Sequence, residues 1–162
     1  MTQLSVSSAP LPPLVPKTRR GELTRERILD AAEHEIGTKG FAEASVSSIT
    51  TKAKVAQGSF YLYFRTKEDV LRELLLRMSR KLRQRLAAAT AHAPDRLEAE
   101  RRGLLGFLEF ARENPNLYRV VEESHFVDAA AYRRYYEEFA AGYRDALAAA
   151  QQRGEVRTGD PE

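Results

Sequence analysis

Between Ser45 and Lys67 the chain places hydroxyl, amide and cationic side chains at spacings suited to gripping a polyanion and reading base edges. Ser45 and Ser47 stand at the start of a short segment, where a hydroxyl beside free backbone amides binds a phosphate. Gln57 carries an amide able to pair bidentately with adenine, Gly58 permits close backbone approach, and Ser59 follows directly. Tyr61 and Tyr63 extend hydroxyls toward phosphate oxygens, and Lys67 puts a cation at a helix start, where only an outside anion welcomes it. Either tyrosine alone reads more readily as packing. Their joint spacing with Gly58 and Lys67 is what points to a double-stranded DNA surface.

Such residues need two short helices about a tight turn, and the apolar spacing supplies them. Ile28, Ala31, Ala32 and Ile36 lie on one face of a first helix running from Thr24, as its N-cap, to Lys39 and Gly40. Ser45 caps a second, short helix that turns Val46, Ile49 and Ala53 inward; after Lys54, Val55 and Ala56 a third runs from Gln57 to about Phe64. Thr66 with Asp69 resembles a capping box and opens a long fourth helix with Leu71, Leu74, Leu75, Met78, Leu82 and Leu86 in one stripe. Asp95 with Glu98 repeats the capping pattern before a fifth helix carrying Leu97, Leu104, Leu108 and Ala111. Asn114 and Pro115 start a sixth, and Asp128 caps a seventh that Gly154 stops. No segment alternates with period two over a strand length, so the fold class is all-α. A three-helix DNA-binding head with a helix-turn-helix spans residues 22–66, and a helical bundle spans 67–162.

Charge distribution agrees with that division. Residues 1–90 carry 16 Lys and Arg against 9 Asp and Glu, a surplus of +7, while residues 91–162 carry 10 against 14, a deficit of −4. A basic N-terminal half favours phosphate binding by counterion release, although solvated helix faces produce the same asymmetry. The chain has no cysteine, so neither disulfides nor thiol chemistry enters. No run approaches the roughly 20 apolar residues of a membrane span, and the first 16 residues lack a secretion signal, so a cytoplasmic location without membrane partners is expected. Residues 1–20, with Pro10, Pro12, Pro13 and Pro16, read as a flexible tail; Lys17, Arg19 and Arg20 at its end are assigned no site.

Two other classes stay open on the residues alone. One is a helical metalloenzyme, because Glu122 and His125 form one Glu-x-x-His pair. A di-metal bundle needs the pair twice, whereas His34 and His92 are each preceded at that spacing by alanine, Ala31 and Ala89. No enzyme activity, cofactor or metal is therefore expected. The other class is an architectural DNA binder without a sensor.

TRERILDAA from Thr24 to Ala32, then Gly40 and Phe41, then VAQGSFYLYFRTKED from Val55 to Asp69 together resemble the TetR family of transcriptional repressors. The clear similarity covers residues 24–72 and weakens beyond. It implies that Ser45, Ser47, Gln57, Gly58, Ser59, Tyr61, Tyr63 and Lys67 are DNA contacts, and that Ile49, Phe60 and Phe64 form the core of the head. Where the family usually has glycine this chain has Lys54, and where it has serine or threonine this chain has Ala56. A lysine held left-handed in the turn costs on the order of 1 kcal/mol, which a folded head tolerates. The resemblance further implies a homodimer that binds a palindromic operator and is released by a small hydrophobic effector of unknown identity, acyl-CoA-type or another hydrophobic molecule. The helices after Lys67 would enclose that effector, lined by Phe107, Phe110, Tyr118, His125, Phe126, Tyr132, Tyr136, Phe139 and Tyr143, although an aromatic stripe is more often core than pocket. Asp160, Pro161 and Glu162 read as the opening of a further helix, so a C-terminally truncated body lacking the family's last two helices is expected.

Overall fold

The computed structural model describes residues 14–157 and 159. Most of the tail expected over residues 1–20, and the helix opening read at Asp160 and Pro161, lie outside them. Among the described residues there are seven helices and no strand: α1 (Arg19–Lys39), α2 (Val46–Ala53), α3 (Gln57–Tyr61), α4 (Lys67–Thr90), α5 (Arg96–Glu113), α6 (Pro115–Val127) and α7 (Ala129–Gln152).

Most helix ends fall where a side chain can satisfy the first free amides. Ser45 accepts from Ser48 N at 3.0 Å while Ser48 Oγ accepts from Ser45 N at 3.1 Å, a complete capping box. Asp95 accepts from Glu98 N and Asp128 from Ala131 N, both at 2.9 Å. At α4 the box is offset by one residue: Thr66 Oγ1 accepts from Asp69 N, but the Asp69 carboxylate reaches back to Arg65 N. Two ends differ from the sequence reading. Thr18, not Thr24, caps α1, accepting from Gly21 N at 3.1 Å, so Arg19 and Arg20 form its first turn rather than the end of a tail. Thr24 is inside the helix and bonds back to Arg20 O. α3 stops at Tyr61, three residues short of Phe64, as the chain turns into α4.

Two apolar cores share one helix. The first gathers Ile28, Leu29, Ile36, Phe41, Ile49, Phe60 and Phe64 with Val70, Leu71 and Leu74 of α4. The second gathers Leu75, Met78 and Leu82 of α4 with Phe110, Leu117, Val121, Ala131 and Tyr135. α6 also divides its face, Val120 entering the first core and Val121 the second. α6 lies close on the end of α1: a Cβ placed on Gly37 would stand 2.4 Å from Asn116 Cβ and 2.7 Å from Asn116 Cα. Glu123 accepts from Phe41 N at 3.2 Å, and Arg119 donates to Thr38 O at 3.2 Å.

α5 corrects the sequence reading. Leu97, Leu104 and Leu108, expected on its buried stripe, are 81%, 61% and 54% exposed, while Gly106 and Phe110 face inward. The reason is close approach: a Cβ on Gly106 would come within 3.3 Å of Ala89 Cβ, so the small-residue face of α5 packs on α4.

Gly37→Ala should force α1 and α6 apart and lower stability by about 1–3 kcal/mol in urea unfolding, despite alanine's better helix propensity. At the α4–α7 junction, burial pushes the Asp128 carboxyl up, but Arg72 at 2.6 Å and the Ala131 amide outweigh it, leaving the group below its ordinary value. Its stabilising contribution is therefore present above the unfolded carboxyl pKa and is lost as pH falls through the lowered one. Asp128→Asn should destabilise the protein at neutral pH and flatten the acid side of a melting-temperature profile.

Candidate nucleic-acid interface

α2 and α3 meet at Lys54, whose backbone is left-handed (φ 55°, ψ 48°), as expected from its place in the turn. It is the one non-glycine residue of positive φ among those described. Its amide donates to Thr50 O and Thr51 O, closing α2. Arg27 on α1 completes the turn, its guanidinium donating to Ala53 O at 2.5 Å and Lys54 O at 3.0 Å. A cation at the C-terminal end of α2 satisfies orphan carbonyls and opposes the helix dipole. Sequence reading missed Arg27 as a turn residue because its partners lie 26 and 27 positions away.

Beyond this turn α3 splits cleanly by face. Phe60 is fully buried and Phe64 nearly so, their rings 5.6 Å apart, and with Ile49 they belong to the first core. Gln57, Gly58 and Tyr61 are exposed, Tyr61 at 53%, and Ser59 is half-buried. A Cβ on Gly58 would meet nothing within 4 Å. Nothing inside the protein therefore requires glycine there, and in a helix it costs up to about 1 kcal/mol relative to alanine. Ser45 and Ser47 are exposed at the start of α2, the Ser45 oxygen already serving as the cap. Tyr63 is half-buried against the first core, with its hydroxyl beside Gly21 in the first turn of α1.

Lys67 does not stand free for an outside anion. Its ammonium donates to Phe41 O at 2.5 Å and Ala44 O at 2.6 Å and lies 4.2 Å from the centre of the Phe41 ring. Two of its three N–H groups thus hold the α1–α2 connection against α4. The cation at a helix start is compensated from within, by carbonyls 26 and 23 residues earlier that the sequence could not bring into view.

The nine body aromatics fall into three overlapping groups, Tyr132 belonging to two of them. Phe110 is buried in the second core, with Phe107, Tyr118 and Tyr132 packed against it, and the Phe107 and Tyr118 rings meet edge-on at 6.3 Å. His125, Tyr132 and Tyr136 form a ladder with successive ring centres 4.9 Å apart, and burial raises the Tyr136 hydroxyl above its ordinary pKa. Phe126, Phe139 and Tyr143 are 86%, 37% and 46% exposed. A cavity of about 290 Å³ opens elsewhere, between the head and the α4–α7 face, and none of the nine lines it. Among the described residues Glu122 and His125 join no group of three or more metal-ligating side chains.

The class is thus an all-helical protein with an exposed two-helix turn on a compact head, joined by one long helix to a helical body. Residues 28–74 match the profile of the bacterial regulatory proteins of the tetR family. Over that segment the chain is similar to that family. It is 46% identical over 56 residues to YdgC of Bacillus subtilis, an uncharacterized HTH-type transcriptional regulator, the match covering 35% of this chain and 29% of YdgC. The chain thus spans under a third of that relative's length. The fold extends further: the fatty acid degradation regulator FadR from Bacillus halodurans superposes with a TM-score of 0.76 at 23% identity, over 88% of this chain and 74% of that one. FadR from Bacillus subtilis, solved in complex with stearoyl-CoA, gives 0.72 at 24% identity, over 83% and 75%.

Lys54→Gly should raise the stability of the head by on the order of 1 kcal/mol, read as a higher melting temperature with an unchanged helical spectrum. An unchanged or lower melting temperature would show that Arg27 and the cap already offset the left-handed strain.

Proposed function

We propose that this chain is a ligand-responsive transcriptional repressor that binds a palindromic operator through α2 and α3. The observation that carries the reading is the divided α3: Phe60 anchors it, while Gln57 and Gly58 are left outside with no internal task and Tyr61 is 53% exposed, touching only the edge of Phe60 among the rings. In this reading α3 enters a major groove, Gln57 reads a base edge, and Gly58 keeps the backbone close to the duplex. Ser45, Ser47, Ser59, Tyr61 and Tyr63 hold phosphates and set the register. Lys67 acts mainly by fixing the loop ahead of α2, with one remaining N–H for a phosphate.

The head comprises residues 22–66 and the effector-binding and dimerisation unit residues 67–162. A palindromic site asks for two heads related by a two-fold axis, hence a homodimer working in the cytoplasm. No helix among the described residues is long and apolar enough to cross a membrane. The effector is a hydrophobic molecule such as a long-chain acyl thioester, the kind of ligand held by the Bacillus subtilis FadR structure. It would lodge where Phe107, Tyr118 and Tyr132 border the second core, and its binding and DNA release would be linked reciprocally.

Selection of bound duplexes from random DNA tests this. An enriched inverted repeat is expected, and Gln57→Ala should relax preference at one base position per half-site, by about 1–3 kcal/mol for the base contacted. Gly58→Ala should leave the melting temperature equal or higher while weakening DNA binding. Retention of all sequences alike would instead indicate an architectural DNA binder.

A further inference from the structure

The cavity of about 290 Å³ lies where four parts of the molecule meet: Leu14 ahead of α1, Arg25 of α1, residues 63–65 before α4, and the facing sides of α4 and α7. Its wall is largely apolar, with Phe64, Leu75, Leu76, Ala131 and Tyr135 among the lining residues. Burial pushes the Tyr135 hydroxyl up to about 12, so it stays a neutral hydrogen-bonding group. The charged rim is uneven. Its three carboxylates are already paired: Glu73 with Arg25 at 3.0 Å, Asp69 with Arg72 at 2.7 Å, and Glu138 with Arg83 at 3.2 Å. Arg72 is also bound to Asp128, and Arg65 has a partner of its own. Arg134 is the rim cation that enters no ion pair among the described residues, although its field helps keep Asp128 ionised.

We propose that this junction cleft is a binding site for a small amphipathic monocarboxylate, its apolar body against Leu76, Tyr135 and Phe64 and its carboxylate on Arg134. The volume sits near the lower end of ligand pockets, about 300 Å³, which suits a medium-chain carboxylic acid. The site is separate from the aromatic cluster assigned to the effector, sharing none of its nine residues. An occupant touches head and body together, so its affinity depends on the angle between them, and it biases that angle in return.

Sodium octanoate is the probe, with 1-octanol as its uncharged counterpart, titrated into the full ¹⁵N-labelled chain without DNA. Saturable amide shifts centred on Phe64, Leu76, Ala131 and Tyr135 are expected, with octanol at least about tenfold weaker for want of a charged hydrogen bond. Arg134→Gln, at an exposed position that leaves the fold intact, should weaken octanoate to the level of octanol. Leu76→Asp should weaken it as well. Absence of saturable binding, equal affinity for acid and alcohol, unchanged affinity in Arg134→Gln, or shifts centred on Phe107 and Tyr118 would each overturn the assignment. Because no DNA is used, a chain that recognises no operator can still pass this test, and a chain that does can still fail it.

Discussion

Leu74 and Leu75 are neighbours in the chain yet are buried in different cores, because one residue of helix turns a side chain through about 100°. Everything else in the architecture hangs on α4 being able to do this. Its first turns present Val70, Leu71 and Leu74 to the head, and Leu75, Met78 and Leu82 to the body, so neither core is complete without it. A rotation or shift of α4 that improves packing on one side must disturb the other. In a helix with both flanks buried at interior density, such a change goes in discrete steps rather than by gradual bending.

The head is held to the body at a second place, and by different chemistry. Where α1 ends on α6, glycine at position 37 lets backbones approach, Glu123 takes the Phe41 amide, and Arg119 takes a terminal carbonyl of α1. Along the other flank, Arg77 of α4 reaches Asp30 at 2.6 Å, with Glu26 and Glu33 nearby, and Arg25 of α1 reaches Glu73 at 3.0 Å. Glu33 is raised above the ordinary carboxyl value by burial, which outweighs Lys81 and Arg77. Such partly exposed ion pairs, from the largely buried Arg25–Glu73 to the exposed Asp30, fix register between helices whose apolar contacts alone leave sliding open. Lys67 adds a polar strut inside the head, so α3 rests on a frame tied at α1, α2 and α4.

That frame explains how a five-residue helix can hold an exposed outer face. Alone, α3 is far too short to persist in water. Phe60 and Phe64 pin it to the first core, and Arg27 with the left-handed Lys54 fixes its angle to α2. Its outward residues are then free of structural duty, and this is the physical basis for assigning them to a partner.

By itself the sequence determined what is local, the caps at Ser45, Thr66, Asp95 and Asp128 and the inward Ile49, while the left-handed Lys54 and the inward Phe60 and Phe64 followed from the family resemblance. These depend on residues within a few positions of one another, where backbone sterics and hydrogen-bond reach leave few choices. Only the tertiary structure decided which side of α5 is buried, since leucines and glycines occupied opposite faces and close helix approach selected the glycines. It also decided that Lys67 turns to carbonyls of the α1–α2 connection, and that a cleft opens between head and α7 away from the aromatic stripe. Those outcomes are set by how helices distant in sequence stack, and helical periodicity carries no record of the neighbour a face will meet.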